Sequence, residues 1–336
     1  MRNSGPSSCC FRLCISFTII ILLSVPASPA KSQEERVFDL KQPVTFERGT
    51  RSWIYFSLRL PPGWKKGNPA TGPDKVRGVF CTLRWYDKPD SIHSLVAGDN
   101  AYTRYADRNG LALLSWNRLK FYTTGVSNDE MDEKADTRWS EKFDTAAKEW
   151  EKGIRRLVRE YGIPERDYLL HGFSGGAQTA HRLALRKPQY FSAIHIHVNS
   201  SYDKPGQSGK SMIWLLTTGE REYGYRASQR FYYEGLENGY SIVYKVGEAL
   251  GHSSSPQIDR LGFAFFDYAL RYLPDYRDNQ PSRRGDIHEL LRRPPYIGDW
   301  LNQEAVPASK AHMIQGRYQT ALPTLEIAKI WGTLIQ

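Results

Sequence analysis

Residues 168–178 read YLLHGFSGGAQ, a short apolar run that enters a glycine-rich turn and leaves it as a helix-like segment. Residues 172–176 match the G-x-S-x-G pattern of a nucleophile elbow, in which a serine occupies a tight turn between a strand and a helix. Glycines flank such a serine because side chains there would make strand and helix collide. A glycine-rich turn before an ordinary helix has the same pattern, so the rest of the chain must supply partners for Ser174.

Apolar runs and helix-like segments alternate on both sides of this turn. The strand-like runs cover residues 37–46, 53–60, 76–85, 111–116, 168–171, 191–198, 212–218 and 241–246. Helical spacing of apolar residues occupies 91–108, 139–161, 175–185, 227–237 and 257–272. This alternation predicts an α/β fold with a mostly parallel sheet covered by helices on both faces.

A nucleophilic serine needs a base, usually histidine, that a carboxylate orients. In this architecture the chain order is serine, acid, histidine, each following a strand. His252 lies in the sequence Gly-His-Ser-Ser-Ser after the last strand-like run, so we predict that it is the base. In contrast, His171, His195 and His197 lie within strand-like runs and are interpreted as core residues.

Three carboxylates compete for the role of the acid. Glu222 stands three residues past Gly219, which directly follows the strand-like run at 212–218, and this spacing leaves room for its carboxylate to turn toward His252. Glu220 in the same loop and Asp203 in the previous crossover loop are the second and third choices. Both glutamates could instead be surface residues beside Arg221.

An oxyanion hole needs two hydrogen-bond donors. The backbone N–H of Gly175, directly after the serine, is the first candidate, because a helix start presents free N–H groups. The second should follow the run that ends at Trp85, where the backbone N–H of Tyr86 or of Trp85 is the best candidate.

The elbow, Glu222 and the Gly-His loop together resemble the α/β-hydrolase superfamily, over roughly residues 50–273. Within it the chain is similar to single-domain esterases near dienelactone hydrolases, polyhydroxybutyrate depolymerases and feruloyl or acetylxylan esterases. The resemblance implies an eight-stranded, mostly parallel sheet and an acyl-enzyme mechanism with no cofactor and no metal. Two departures stand out: glutamate replaces the commoner aspartate, and the loop at residues 83–87 lacks the usual His-Gly.

The N-terminus has the pattern of a secretory signal. Arg2 and Arg12 precede an apolar run at 15–25, and residues 28–30 read Ser-Pro-Ala, a small-residue cleavage site. We therefore expect residues 1–30 to be removed and the protein to be exported, periplasmic or secreted, without a stable membrane span. Of the four cysteines only Cys81 would remain, so no intrachain disulfide is expected.

The formal net charge of +10 raises the question of acidic partners. The basic residues are scattered and no nucleic-acid motif accompanies them, so a nucleic-acid partner is not expected. The sequence leaves the oligomeric state open.

Aromatic residues near the predicted crevice are candidate substrate contacts, namely Trp85, Trp116 and Tyr223. The acidic insert at 120–137 is a candidate lid, or else a surface loop. We place the hydrolase domain at 31–273 and expect a C-terminal extension, 274–336, to pack on it.

These features favour a serine esterase acting on a small-molecule or polymer-linked carboxylic ester. A serine peptidase of the prolyl-oligopeptidase type is one alternative, since Gly-x-Ser-x-Gly-Gly also occurs there, although no propeller-sized region precedes the elbow. A non-catalytic binding protein on the same fold is the other, but such a protein would not need Ser174, Glu222 and His252 together.

Overall fold

A computed structural model describes residues 36–46, 51–64, 76–117, 133–278 and 283–335, with side chains of the long helix described from residue 141 onward. These residues belong to one compact unit, Gln33–Gln336. The predicted signal at 1–30 and most of the insert at 120–137 lie outside the described residues. No helix within the described ranges is both long enough and apolar enough to cross a bilayer.

The main sheet has eight strands in the order β1-β2-β4-β3-β5-β6-β7-β8. In chain order they are β1 (Val37–Thr45), β2 (Arg51–Arg59), β3 (Gly78–Leu83), β4 (Leu111–Trp116), β5 (Tyr168–Phe173), β6 (Phe191–His197), β7 (Ile213–Gly219) and β8 (Ser241–Gly247). Strand β2 pairs antiparallel with β1 and β4, and all the other pairs are parallel. This strand order is that of the α/β-hydrolase fold, so the predicted fold class is confirmed.

Helices cover both faces of the sheet. They are α1 (Pro89–Ala97), α2 (Ala101–Asn109), α3 (Glu133–Tyr161), α4 (Gly175–Arg186), α5 (Tyr225–Glu237) and α6 (Pro256–Leu270). On one face Phe80 of β3 packs against Tyr105 of α2 and Phe266 of α6. On the other face Trp150 of α3 packs against Phe191 of β6. The core is therefore two apolar layers separated by the sheet.

The segment predicted to be helical at residues 91–108 is helical, but a break at residues 98–100 divides it into two helices, α1 and α2. Helix α1 ends at Ala97, and Asn100 caps the start of α2 by accepting hydrogen bonds from the backbone N–H groups of Tyr102 and Thr103. Residues 98–100 read Gly-Asp-Asn, a turn sequence that the apolar spacing on either side obscured.

The described part of the C-terminal extension carries a second, four-stranded sheet in the order β11-β9-β10-β12. Its elements are α7 (Glu289–Arg292), β9 (Tyr296–Asp299), β10 (Glu304–Pro307), β11 (Gln319–Leu322), α8 (Leu325–Trp331) and β12 (Thr333–Leu334). The domain boundary placed at residues 273 and 274 stays a prediction.

Side chains of this extension meet the outer edge of β8. The backbone N–H of Tyr244 donates to Thr320 Oγ1 at 2.8 Å, and Trp331 Nε1 donates to the carbonyl of Tyr244 at 2.9 Å. The ammonium of Lys245 donates to Gln303 Oε1 and lies 4.8 Å from the centroid of the Trp331 ring. At Tyr244, therefore, side chains of the extension satisfy the free backbone groups of the edge strand.

Candidate active site

The elbow between strand β5 and helix α4 is surrounded by close backbone contacts. Ser174 has φ of 56° and ψ of −126°, a conformation rarely adopted by a residue with a side chain. A Cβ at Gly172 would lie 2.7 Å from the Cα of Ala177, and one at Gly176 would lie 2.4 Å from the carbonyl oxygen of Leu83. The two glycines are therefore required by close backbone approach, as the sequence pattern indicated.

The side chains of Ser174, His252 and Glu222 form one hydrogen-bonded chain. His252 Nε2 lies 2.8 Å from Ser174 Oγ, and His252 Nδ1 lies 2.9 Å from Glu222 Oε2. The carboxylate of Glu222 is fully buried, whereas the imidazole is about one-third exposed. In this arrangement a carboxylate orients an imidazole, and the imidazole can take the proton of a serine hydroxyl.

The other two candidate acids lie elsewhere. Glu220 is exposed, and its carboxylate accepts a hydrogen bond from the backbone N–H of Ala249. Asp203 is held in ion pairs with Arg182 at 2.9 Å and Arg186 at 2.6 Å. Of the three carboxylates, Glu222 alone contacts the imidazole.

The loop that carries His252 is fixed at several points. Gly219 lies so close under it that a Cβ there would come within 2.1 Å of the carbonyl oxygen of Leu250. Farther along, the hydroxyl of Ser254 donates to Asp259 on α6 at 2.7 Å, and Ser255 caps the start of that helix. A loop tied down on both sides of the histidine keeps the imidazole in place.

The loop after β3 lies against the first turn of α4. A Cβ added at Gly176 would have the carbonyl of Leu83 and the backbone nitrogen of Arg84 as its nearest atoms. Backbone N–H groups of that first turn, including that of Gly175, have no intrahelical acceptor. Tyr86 follows two residues beyond Arg84, near the same edge of the sheet. The oxyanion roles of Gly175 and Tyr86 stay predictions.

Arg84 is a site residue that the sequence reasoning missed. Its guanidinium lies 4.6 Å from the centroid of the Phe173 ring, directly before the serine, and donates to the hydroxyl of Tyr102 at 2.7 Å. It thereby connects the loop after β3 to both the elbow and α2. A single arginine after an apolar run resembles any surface residue, so no sequence signal indicated this contact.

The three candidate substrate contacts have different environments. Trp85 is 57% exposed, and Tyr223 is 74% exposed with its ring stacked on His252, the centroids 5.5 Å apart and the planes 21° apart. Trp116 is only 1% exposed and packs against Trp150 and Phe56. Its predicted contact with substrate is therefore wrong: a large apolar side chain at the end of a buried strand fills the core.

Buried histidines surround the site without joining it. Burial lowers the pKa of His171 and of His195 well below the usual range, and lowers that of His197 to about 4. Burial also lowers the pKa of His181, on α4, to about 3. These imidazoles are neutral at pH 7. In the described ranges, no group of three or more histidine, cysteine or acidic side chains is arranged to hold a metal ion.

No protein-family model and no curated protein matches the sequence. Among solved structures, a CE1 ferulic acid esterase from Anaeromyces mucronatus is 12% identical over 68% of this chain and 90% of its own, with a TM-score of 0.49. An S-formylglutathione hydrolase from Agrobacterium tumefaciens is 14% identical over 70% and 94%, with a TM-score of 0.45.

A putative dipeptidyl aminopeptidase IV from Bacteroides ovatus is 11% identical over 70% of this chain, with a TM-score of 0.49. This chain covers 36% of that peptidase and 54% of a thermostable esterase that it also resembles. Such low identities and TM-scores carry no information about activity or substrate.

Proposed function

We propose that the protein is a serine hydrolase that cleaves a carboxylic ester, with Ser174 as nucleophile, His252 as base and Glu222 as the acid that orients it. The observation that carries this proposal is the unbroken chain of two hydrogen bonds from Ser174 Oγ through the imidazole to a buried carboxylate. A buried carboxylate beside an imidazole stabilises the imidazolium that forms when the serine attacks.

In the proposed reaction His252 removes the proton of Ser174 as Oγ bonds to the ester carbonyl carbon. The oxyanion that develops accepts hydrogen bonds from the backbone N–H of Gly175 and, in this proposal, that of Tyr86. His252 then gives its proton to the departing alcohol oxygen as the C–O bond breaks, leaving an acyl-enzyme. Water repeats the sequence on the acyl carbonyl and releases the acid.

The substrate class that we propose is a small-molecule or polymer-linked ester. In this proposal two exposed aromatic side chains, Trp85 and Tyr223, stack on sugar or aromatic rings of the substrate. The stacking of Tyr223 on His252 puts one such ring beside the reacting groups.

The direct test is hydrolysis of p-nitrophenyl acetate and butyrate by the purified chain lacking residues 1–30. Ser174→Ala should lower kcat by about 10³-fold or more, because without the nucleophile only binding and oxyanion contacts remain. Glu222→Gln should lose far more activity than Glu220→Gln, its matched control in the same loop. Equal activity of wild type and Ser174→Ala on every ester would refute the proposal.

Peptide p-nitroanilides in the same assay distinguish the peptidase alternative. A wild-type preference for peptides over esters of similar size, abolished by Ser174→Ala, would replace the esterase proposal with a peptidase. Absence of both activities, together with no labelling of Ser174 by a fluorophosphonate, would favour the binding-protein alternative.

We also propose that the protein is exported and that residues 1–30 are removed. Expression of the full sequence in a bacterial host should yield a mature protein outside the cytoplasm. Mass spectrometry should place its N-terminus close to residue 31. An intact N-terminus on cytoplasmic protein would contradict export.

A further inference from the structure

A buried hydroxyl beneath the site joins two histidines that the proposed reaction does not use. Thr217 Oγ1 lies 2.8 Å from His195 Nε2 and 2.8 Å from His197 Nδ1, and all three residues are buried. His197 Nδ1 also lies 3.3 Å from the carbonyl oxygen of Thr217, which can only accept, so we assign the proton to Nδ1. The hydroxyl then accepts from His197 Nδ1 and donates to His195 Nε2. The hydroxyl of Thr217 is therefore hydrogen-bonded to both imidazoles.

His197 contacts the segment that carries Ser174, and Phe173 connects it to His252. Its carbonyl accepts the backbone N–H of Ser174 at 3.1 Å, which holds the nucleophile in its positive-φ conformation. Its ring lies 5.3 Å from the ring of Phe173, which in turn lies 5.8 Å from the ring of His252. Burial lowers the pKa of His197, and the backbone of Ser253, directly after His252, partly opposes this lowering.

The backbone beyond His197 is in an unfavourable conformation. Val198 has φ of 48°, which is rare for a β-branched residue, and its N–H donates to the carbonyl of Thr217 at 2.9 Å. Strained backbone of this kind persists only where surrounding contacts enforce it, and it clusters at functional sites. The main chain and the hydroxyl of Thr217 therefore both act on the segment that holds Ser174.

We propose that Thr217 is a positioning residue: its hydroxyl fixes His197, and through it the spacing between Ser174 and the loop of His252. This inference rests on the proposed function. It predicts a loss in kcat rather than in substrate binding, because the hydroxyl is buried behind the reacting groups and touches no substrate.

The neighbouring residue provides a matched control. Thr218 is also buried, but alternation along the strand turns its side chain to the other face of the sheet. Among the described residues its hydroxyl has no hydrogen-bond partner. Thr217→Val and Thr218→Val thus make the same chemical change at adjacent buried positions, and only the first removes hydrogen bonds to histidines.

The experiment measures kcat and KM on p-nitrophenyl butyrate, and the rate of Ser174 labelling by a fluorophosphonate, for wild type and each variant. Displacing reacting groups by about 1 Å costs about 100-fold, so Thr217→Val should lower kcat and the labelling rate about 10- to 100-fold, with KM nearly unchanged. Thr217→Ser keeps the hydroxyl and should restore most of the rate, while Thr218→Val should stay close to wild type.

Thr217→Cys covers the case in which Thr217→Val does not fold, because a thiol fills the site but is a weak hydrogen-bond partner. Its rates should fall between those of Thr217→Ser and Thr217→Val. The proposal is overturned if Thr217→Val retains the wild-type kcat per labelled serine. It is also overturned if the kcat of Thr217→Val falls by no more than that of Thr218→Val. Thr217→Cys takes the place of Thr217→Val in both comparisons if the valine variant does not fold. When the proposal is overturned in this way, wild type still labels at Ser174, whereas failure of the proposed function would leave wild type itself unlabelled and inactive.

Discussion

Replacing Lys245 with methionine should stabilise the protein at neutral pH. Lys245 is only 3% exposed, and its ammonium lies between Gln303 Oε1 and the ring of Trp331. In the part of the chain that the structure describes, no carboxylate forms an ion pair with it. Burial lowers its pKa from 10.5 to about 8, against a smaller opposite effect of Glu248. A buried cation without a carboxylate partner destabilises the folded state.

The size of the effect follows from the pKa difference. A decrease from 10.5 to about 8 is about 2.5 pH units, or about 3 kcal/mol at 1.36 kcal/mol per unit. Methionine also gives up the hydrogen bond to Gln303 and the contact with Trp331, about 1 kcal/mol each. At pH 7 the variant should therefore unfold with a free energy about 1–2 kcal/mol larger than that of wild type.

The greater stability of Lys245→Met relative to wild type should disappear at alkaline pH. The folded pKa of Lys245 lies below the unfolded value, so the folded state carries fewer protons between about pH 8 and 10.5. Wild type consequently gains stability as the pH rises through this window, while the methionine variant has no such gain. From pH 7 to pH 10 the difference between the two should shift by about 2–3 kcal/mol in favour of wild type.

Urea unfolding followed by circular dichroism at pH 7, 8, 9 and 10 measures this difference. Tyrosine ionisation at high pH affects both proteins and cancels in the comparison. Lys148→Met, at an exposed position on α3, is the control and should show no such shift relative to wild type. A stability difference between wild type and Lys245→Met that is constant from pH 7 to pH 10 would refute the reasoning.

Three further predictions concern other parts of the molecule. The folded pKa of His181, about 3, lies below its unfolded value, so the neutral imidazole stabilises the fold fully above about pH 6.5. Lowering the pH to 4.5 should therefore reduce the free energy of unfolding by about 2–3 kcal/mol. His181→Asn should lack that part of the pH dependence when urea unfolding is measured. Gly176→Ala should abolish fluorophosphonate labelling, because its Cβ would lie 2.4 Å from a backbone carbonyl, whereas Gly206→Ala, with open space around it, should label normally. Thr320→Val should lower the unfolding free energy by about 1–3 kcal/mol because the N–H of Tyr244 loses its acceptor, and equal losses in Thr320→Val and Thr320→Ser would contradict this explanation.

Much of the main domain could be predicted from the sequence because its signals are local and strong. Buried parallel strands are apolar along their whole length, and the elbow needs glycine wherever backbones touch. The contact of His252 with Ser174 followed from the order of residues after successive strands, which a parallel sheet brings to one edge.

The features that could not be predicted depend on contacts that produce no periodic pattern in the sequence. The second sheet consists of strands of two to four residues, too short for alternation to show. Trp116 was wrongly predicted to contact substrate, because its aromatic side chain is of a type that lines binding crevices. The side chain instead lies in the core. Arg84 and Thr217 contact neighbours that are distant in sequence, so neither the arginine nor the threonine could be distinguished from ordinary residues of its type.

The contacts of Thr320 and Trp331 with Tyr244 of β8 have a consequence for association between molecules. An edge strand with free N–H and C=O groups can recruit a strand of another chain and so extend a sheet across an interface or into an aggregate. Because the N–H and C=O of Tyr244 are occupied by Thr320 and Trp331, a second copy cannot add a strand at this point. Shortening the chain before the second sheet would uncover that edge, and such fragments should be far more prone to aggregate than the full chain.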